Sequence, residues 1–124
     1  MDSILIVNNH IEIAKQERDC LAQAFPDVEF YAFSDPILAS GHVYNNPVSC
    51  VLADIEMRPI NGFAYMRLLH KYDAHLPYFL VGTSEDQRAD VMRSEADGFL
   101  LREEILSGAA VEILKNYRKE AEFF

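Results

Sequence analysis

Short apolar runs alternate along this chain with stretches whose apolar residues recur every three or four positions. Ile4-Leu5-Ile6-Val7 is a continuous, β-branched-rich run, the pattern of a strand covered on both faces. Beyond it, Ala14, Leu21, Ala24 and Phe25 fall at helical spacing among Lys15, Gln16, Glu17, Arg18 and Asp19, and Pro26 stops the helix. Val28 to Phe33 predicts a second strand. Ser34-Asp35-Pro36 opens a second helix, with Pro in its first turn, and Asn45-Asn46-Pro47 closes it. Val48 to Ala53 predicts a third strand, Gly62 to about Tyr72 a helix, and Tyr78 to Val81 a fourth strand. A short helix over Glu85 to Glu95 and a fifth strand over Gly98 to Leu101 follow. Leu106, Ala109, Ala110, Ile113 and Tyr117 then mark the apolar stripe of one last helix, the fifth.

Five such β-α units predict one α/β domain spanning residues 1–124, a doubly wound parallel sheet with helices on both faces. Sites in these folds lie beyond the carboxyl ends of the strands. That places Asn8, Asn9, Asp54, Gly82, Thr83 and Arg102 at the candidate site.

Charge narrows the partners. With 20 acidic against 11 basic side chains the net charge is -9, which repels nucleic-acid phosphates and anionic lipid alike. No apolar run approaches the roughly 18 residues of a membrane span, and the N-terminus is acidic where a signal peptide is basic. Cys20 and Cys50 fall in apolar stretches, so two reduced thiols and a cytoplasmic location are expected. His10, His42, His70 and His75 show no ligand spacing, and no metal site is expected of them. Ser84 lacks a nucleophile elbow, and no Gly-rich loop follows the first strand, which argues against an enzyme or a nucleotide site.

Three segments carry a family resemblance. Ile4-Leu5-Ile6-Val7-Asn8-Asn9-His10 resembles the first strand of a response-regulator receiver domain (the flavodoxin-like, CheY-like fold), whose apolar run ends in two acidic residues. Leu52-Ala53-Asp54-Ile55-Glu56-Met57-Arg58-Pro59-Ile60-Asn61-Gly62 resembles the phosphoacceptor loop, with Met three and Gly eight residues after the Asp. In the family Pro stands four residues after that Asp; here Arg58 does, and Pro59 follows. Ala96-Asp97-Gly98-Phe99-Leu100-Leu101-Arg102 resembles the fifth strand, which ordinarily ends in Lys-Pro. The resemblance covers essentially the whole chain and implies a five-stranded sheet in the order 2-1-3-4-5, flanked by five helices.

It also implies a chemistry. In the family three carboxylates hold Mg²⁺, and the metal neutralises a phosphoryl group arriving on the third-strand Asp. A fifth-strand Lys contacts the phosphoryl oxygens. A fourth-strand Ser or Thr bonds one of them, and its movement is coupled to a fifth-strand aromatic. Here the acidic-pair positions are Asn8 and Asn9, the hydroxyl position is Gly82 with Thr83 next, and the Lys position is Arg102, followed by Glu103. Asp54 is kept at the phosphoacceptor position, and Phe99 holds the aromatic position. The segment from Gly82 to Arg102 is also about two residues short, which truncates the fourth helix.

The expectation is therefore a pseudo-receiver: a protein-interaction or dimerisation module that needs neither Mg²⁺ nor phosphorylation. Asn8 and Asn9 are expected to replace the metal with a polar network, and Arg102 to pair with Asp54. The alternative is a working phosphoacceptor of a two-component phosphorelay, modified on Asp54 with Mg²⁺, to which Glu56 lends a replacement carboxylate. Partner binding or self-association is expected on the face made by the fourth helix, fifth strand and last helix. Glu112, Lys115, Arg118, Lys119 and Glu122 make up the mixed surface of that last helix.

Overall fold

The computed structural model describes residues 2–121; Glu122 of the last-helix surface lies outside the described residues. The strands are β1 (Ser3–Val7), β2 (Glu29–Phe33), β3 (Cys50–Asp54), β4 (Tyr78–Gly82) and β5 (Gly98–Leu101). All pairings are parallel, and the sheet order is β2-β1-β3-β4-β5, as expected. The central strands β1, β3 and β4 are buried along their whole length, which is why they are apolar without alternation.

Alternate residues of each strand nevertheless serve different cores. Leu5, Val7, Val51, Ala53, Tyr78, Leu80 and Phe99 pack on one side, against helices α2 (Pro36–Asn45), α3 (Gly62–Tyr72) and α4 (Arg88–Met92). Ile4, Ile6, Cys50, Leu52, Phe79, Val81 and Leu100 pack on the other, against α1 (Ile11–Ala24), α5 (Arg102–Ser107) and α6 (Ala110–Ala121). Local chemistry fixes several helix starts. Asp35 accepts from the Ile37 amide at α2, ahead of Pro36, and Asn61 accepts from the Ala64 amide at α3.

Two expectations are corrected. The described residues hold six α-helices, because the last one predicted is broken in two. Gly108 sits at φ 91, a left-handed cap that ends α5 before α6 begins. The fourth helix shrinks as well. Of the span 85–95 only a 3₁₀ turn (Glu85–Gln87) and the five residues of α4 are helical. Ser94 ends it locally, its hydroxyl donating to the Val91 carbonyl and accepting from the Ala96 amide.

Gly62 explains one piece of the motif in physical terms. A Cβ there would stand 2.4 Å from the Asp54 carbonyl oxygen and 2.6 Å from Leu80. Only glycine lets α3 begin against the end of β3, so the eight-residue spacing from Asp54 is a packing constraint.

Candidate functional site

The carboxyl ends of β1, β3, β4 and β5 bring the expected residues to one edge. Asp54 closes β3 and is 7% exposed. Arg102, which opens α5 directly after β5, donates from Nη2 to Asp54 Oδ1 at 3.0 Å. Their side chains are 10% and 22% exposed, so the pair is largely shielded from water. Burial pushes the Asp54 carboxyl above its ordinary range, against the pull of Arg102, with Glu56 adding to the rise and His10 opposing it. The expected ion pair is therefore in place.

The two amides do different things. Asn9 ties three segments together: its Nδ2 donates to the Ser34 carbonyl at 3.1 Å and to the Arg58 carbonyl at 2.9 Å. Its Oδ1 accepts from the Arg58 amide at 2.7 Å. Asn8, only 1% exposed, accepts from the His10 amide at 2.9 Å and so turns the chain into α1. Its Nδ2 is buried without a partner. Both amide oxygens thus already accept backbone protons. A hard divalent cation wants several free oxygens, with a carboxylate among them that is not already neutralised. This donor set, with a guanidinium on the one carboxylate, does not fit it. Among the described residues no group of three His, Cys, Asp or Glu side chains could hold a metal ion.

At the end of β4 the hydroxyl position is filled by a neighbour. The Oε1 of Gln87 accepts from the Thr83 amide at 2.9 Å and the Ser84 amide at 3.2 Å, reaching back over Gly82. A Cβ on Gly82 would lie 2.4 Å from that oxygen and 2.6 Å from the Phe99 ring. Phe99 is buried against the space a side chain would need, and the Arg88 guanidinium lies 5.0 Å from its ring centroid. Thr83 itself is exposed. A cavity of about 150 Å³ remains beside Asp54, lined among others by His10, Glu56, Gly82, Thr83 and Arg102.

Sequence reasoning missed two participants. Gln87 carried a signal, since Ser84-Glu85-Asp86-Gln87 is the capping-box pattern in which the third residue after the Ser reaches back to the Ser amide. Glu17 carried one too. The buried stripe of α1 runs Ala14, Glu17, Leu21, so the gap in the apolar pattern falls on an inward position. Glu17 is 1% exposed, and its Oε2 has no partner. Desolvation pushes its carboxyl from the ordinary 4.5 up to about 7, against the pull of Arg102 and helped by the Asp54 charge.

The last helix also departs from its surface reading. Arg118 donates to both carboxylate oxygens of Asp27, at 3.3 Å through Nη1, and lies 3.8 Å from Asp2. It staples α6 to the chain between α1 and β2.

No protein-family model and no curated protein matches the sequence. Solved structures do match over most of its length. A response regulator receiver protein from Pseudomonas putida superposes with a TM-score of 0.77 at 18% identity, covering 93% of this chain and 96% of that one. The response regulator TrrA from Thermotoga maritima, solved with Mg²⁺ and BeF, gives 0.73 at 21% identity, covering 96% and 98%. A CheY-like receiver domain from Methanospirillum hungatei gives 0.72 at 19% identity, covering 97% and 98%. Strand order, layer arrangement and these superpositions together establish that the chain has the fold of the response-regulator receiver domains.

Proposed function

We propose that this domain is a pseudo-receiver: a signalling module of the response-regulator type that works by protein contact, without Mg²⁺-dependent phosphorylation. The observation that carries this reading is the Asp54–Arg102 ion pair. A carboxylate must be a free nucleophile, with a metal beside it, to take a phosphoryl group. Asp54 instead has a guanidinium as its cation, and the neighbouring amides are spent on backbone bonds. Gly82, Gln87 and Phe99 support the same conclusion, since no hydroxyl follows a phosphoryl group at that position and the aromatic ring is held by packing.

The test is intact mass after incubation with a small phosphodonor and Mg²⁺. The mass is expected to stay unchanged. A phosphoryl adduct that forms on the wild type and is lost in Asp54→Asn would overturn the reading. It would establish the rival, a phosphorelay acceptor that uses the cavity beside Asp54.

The contact surface we assign is the face of α4, β5 and α6. A groove of about 400 Å³ there is lined by Phe79, Arg88, Met92, Phe99, Ile113 and Tyr117 among others. Met92 is 67% and Ile113 40% exposed. Tyr117 donates to Asp97 at 2.7 Å and packs edge-on against Phe79, giving the groove a rigid floor.

A further inference from the structure

Arg102 has two carboxylates within its field and is bonded to one. Its Nη2 holds Asp54, while its Nε is buried with no partner. Glu17 lies on the inward stripe of α1, the helix that packs against α5, which Arg102 begins. The contact between the two helices is apolar and close: Leu21 and Ile105 share one core, and the Cys20 thiol donates to the Leu106 carbonyl at 3.6 Å. Glu17 thus buries an unpartnered acceptor, Oε2, on the side of the fold where Arg102 buries an unpartnered donor.

Few other charges bear on it. From β3 it feels Asp54 and from α5 Arg102, while β1 carries no titratable side chain. From β2, Phe30 and Ala32, not Glu29 or Tyr31, pack into the core under α1. Glu104, also on α5, has Arg88 as its neighbouring cation. Arg18, beside it on α1, is paired with Asp19. His10 and Glu56 act on Asp54 from the cavity side. With Glu17 protonated, one buried anion faces one buried cation. With Glu17 ionised, two anions face one cation, and the fork of a guanidinium is able to serve either.

We propose that Glu17 and Asp54 compete for the single Arg102 guanidinium, and that ionisation of Glu17 draws Arg102 from Asp54 and frees that carboxylate toward the cavity. The only bond change is the loss of the Glu17 proton to water and the exchange of one charge-assisted hydrogen bond for another. Glu17 acts through Arg102 and is a positioning residue. The inference shares the Asp54–Arg102 pair with the proposed function, but the pH response of that pair and the mass of a phosphoryl adduct are separate readouts, so the two fail separately.

The experiment is a carboxyl ¹³C and arginine ¹⁵Nε NMR titration of the folded protein from pH 5 to pH 9. The Glu17 carboxyl, the Asp54 carboxyl and the Arg102 Nε–H are expected to move together, with one shared inflection near pH 7. In Glu17→Gln the inflection at Asp54 and Arg102 is expected to vanish. Because His10 acts on Asp54 from the cavity side, His10→Gln is the control, and the inflection should survive it. Arg102 and Asp54 resonances that stay flat in the wild type overturn the proposal. So does an inflection that persists in Glu17→Gln or disappears in His10→Gln. Should Glu17→Gln fail to fold, Glu17→Met replaces it with the same expected result, and the wild-type titration alone still decides whether the three groups move together.

Discussion

The two faces of the sheet bury polar groups on different terms. Under α2 and α3 the Tyr65 hydroxyl donates to the Pro36 carbonyl at 2.8 Å, and the Tyr78 hydroxyl to the Gly62 carbonyl at 2.8 Å. Ser40 adds a bond to the Pro36 carbonyl at 3.0 Å. Burial holds both phenols well above their ordinary range, so they stay neutral donors at every pH the protein meets. Under α1 and α5 the buried groups include a carboxyl and a guanidinium, and Glu17 and Arg102 each leave an atom unpartnered, whereas on the first face the one such atom among the described residues is His42 Nε2. Paired neutral groups fix a single packing and ignore pH. An incompletely paired charged set costs stability and responds to pH. The carboxyl edge of the sheet, where the site lies, draws its electrostatics from that second face.

Removing Arg102 should widen the difference most. In Arg102→Met the Asp54 and Glu17 carboxylates face each other with no cation, and breaking a shielded pair in this way costs about 3 kcal/mol at pH 8. The loss is expected to shrink at pH 5, where Glu17 is protonated and one fewer anion is left without a cation. Urea unfolding at the two pH values measures it, and an equal loss at both would place the contribution in packing instead. Glu17 carries the same sign. Its folded pKa is raised, so its stabilising effect is complete below 4.5 and is lost as pH rises through about 7. Glu17→Gln in the Arg102→Met background should therefore recover a substantial part of the loss at pH 8 and little at pH 5.

The paired face offers the smaller, flat counterpart. Tyr78→Phe deletes the bond to the Gly62 carbonyl and leaves that oxygen buried, at a cost of about 1–2 kcal/mol. The cost should be the same at pH 5 and pH 8. A pH-dependent loss would mean that the two faces are coupled through the sheet, and the contrast between them would not hold.

The fold was legible because period and punctuation agree. Apolar runs and Pro36 locate elements from local chemistry, while the Gly62 spacing came with the family motif and reflects packing against β3 and β4. The break at Gly108 was missed because Leu106, Ala109, Ala110 and Ile113 keep helical spacing across it, and one glycine within a periodic stretch is a weak stop signal. Of the site, the Asp54–Arg102 pair followed from complementary charge at the carboxyl ends of β3 and β5, which flank β4. Gln87 and Glu17 were passed over although each left a local mark, a capping box and a polar gap in an apolar stripe, because neither mark says which tertiary neighbour the side chain meets. The Arg118–Asp27 pair was not foreseen for a related reason, the two residues being 91 positions apart in sequence.

The smallest expected effect is the response to Mg²⁺. In an ordinary receiver the crowded carboxylates repel, by on the order of 3 kcal/mol per pair at about 5 Å and an effective dielectric near 20, and the metal relieves them. Here Asn8 and Asn9 carry no charge, and Arg102 balances Asp54. Stabilisation by a ligand follows RT ln(1 + [L]/Kd), so a cation present at a tenth of its Kd contributes about 0.1 kcal/mol or less. Calorimetry should find the melting temperature the same, within about 1 °C, in EDTA and in millimolar Mg²⁺. The double variant Asn8→Asp with Asn9→Asp should behave in the opposite way. Its Asn9 position loses two donated bonds, to the Ser34 and Arg58 carbonyls, and sets a carboxylate against both oxygens. In EDTA it should therefore be less stable by about 2 kcal/mol or more, and Mg²⁺ should restore part of the loss by neutralising the new charges. A wild-type melting point that climbs by several degrees with Mg²⁺ would mean that the cation displaces Arg102 from Asp54, and the ion pair would then be a resting contact of a metal site.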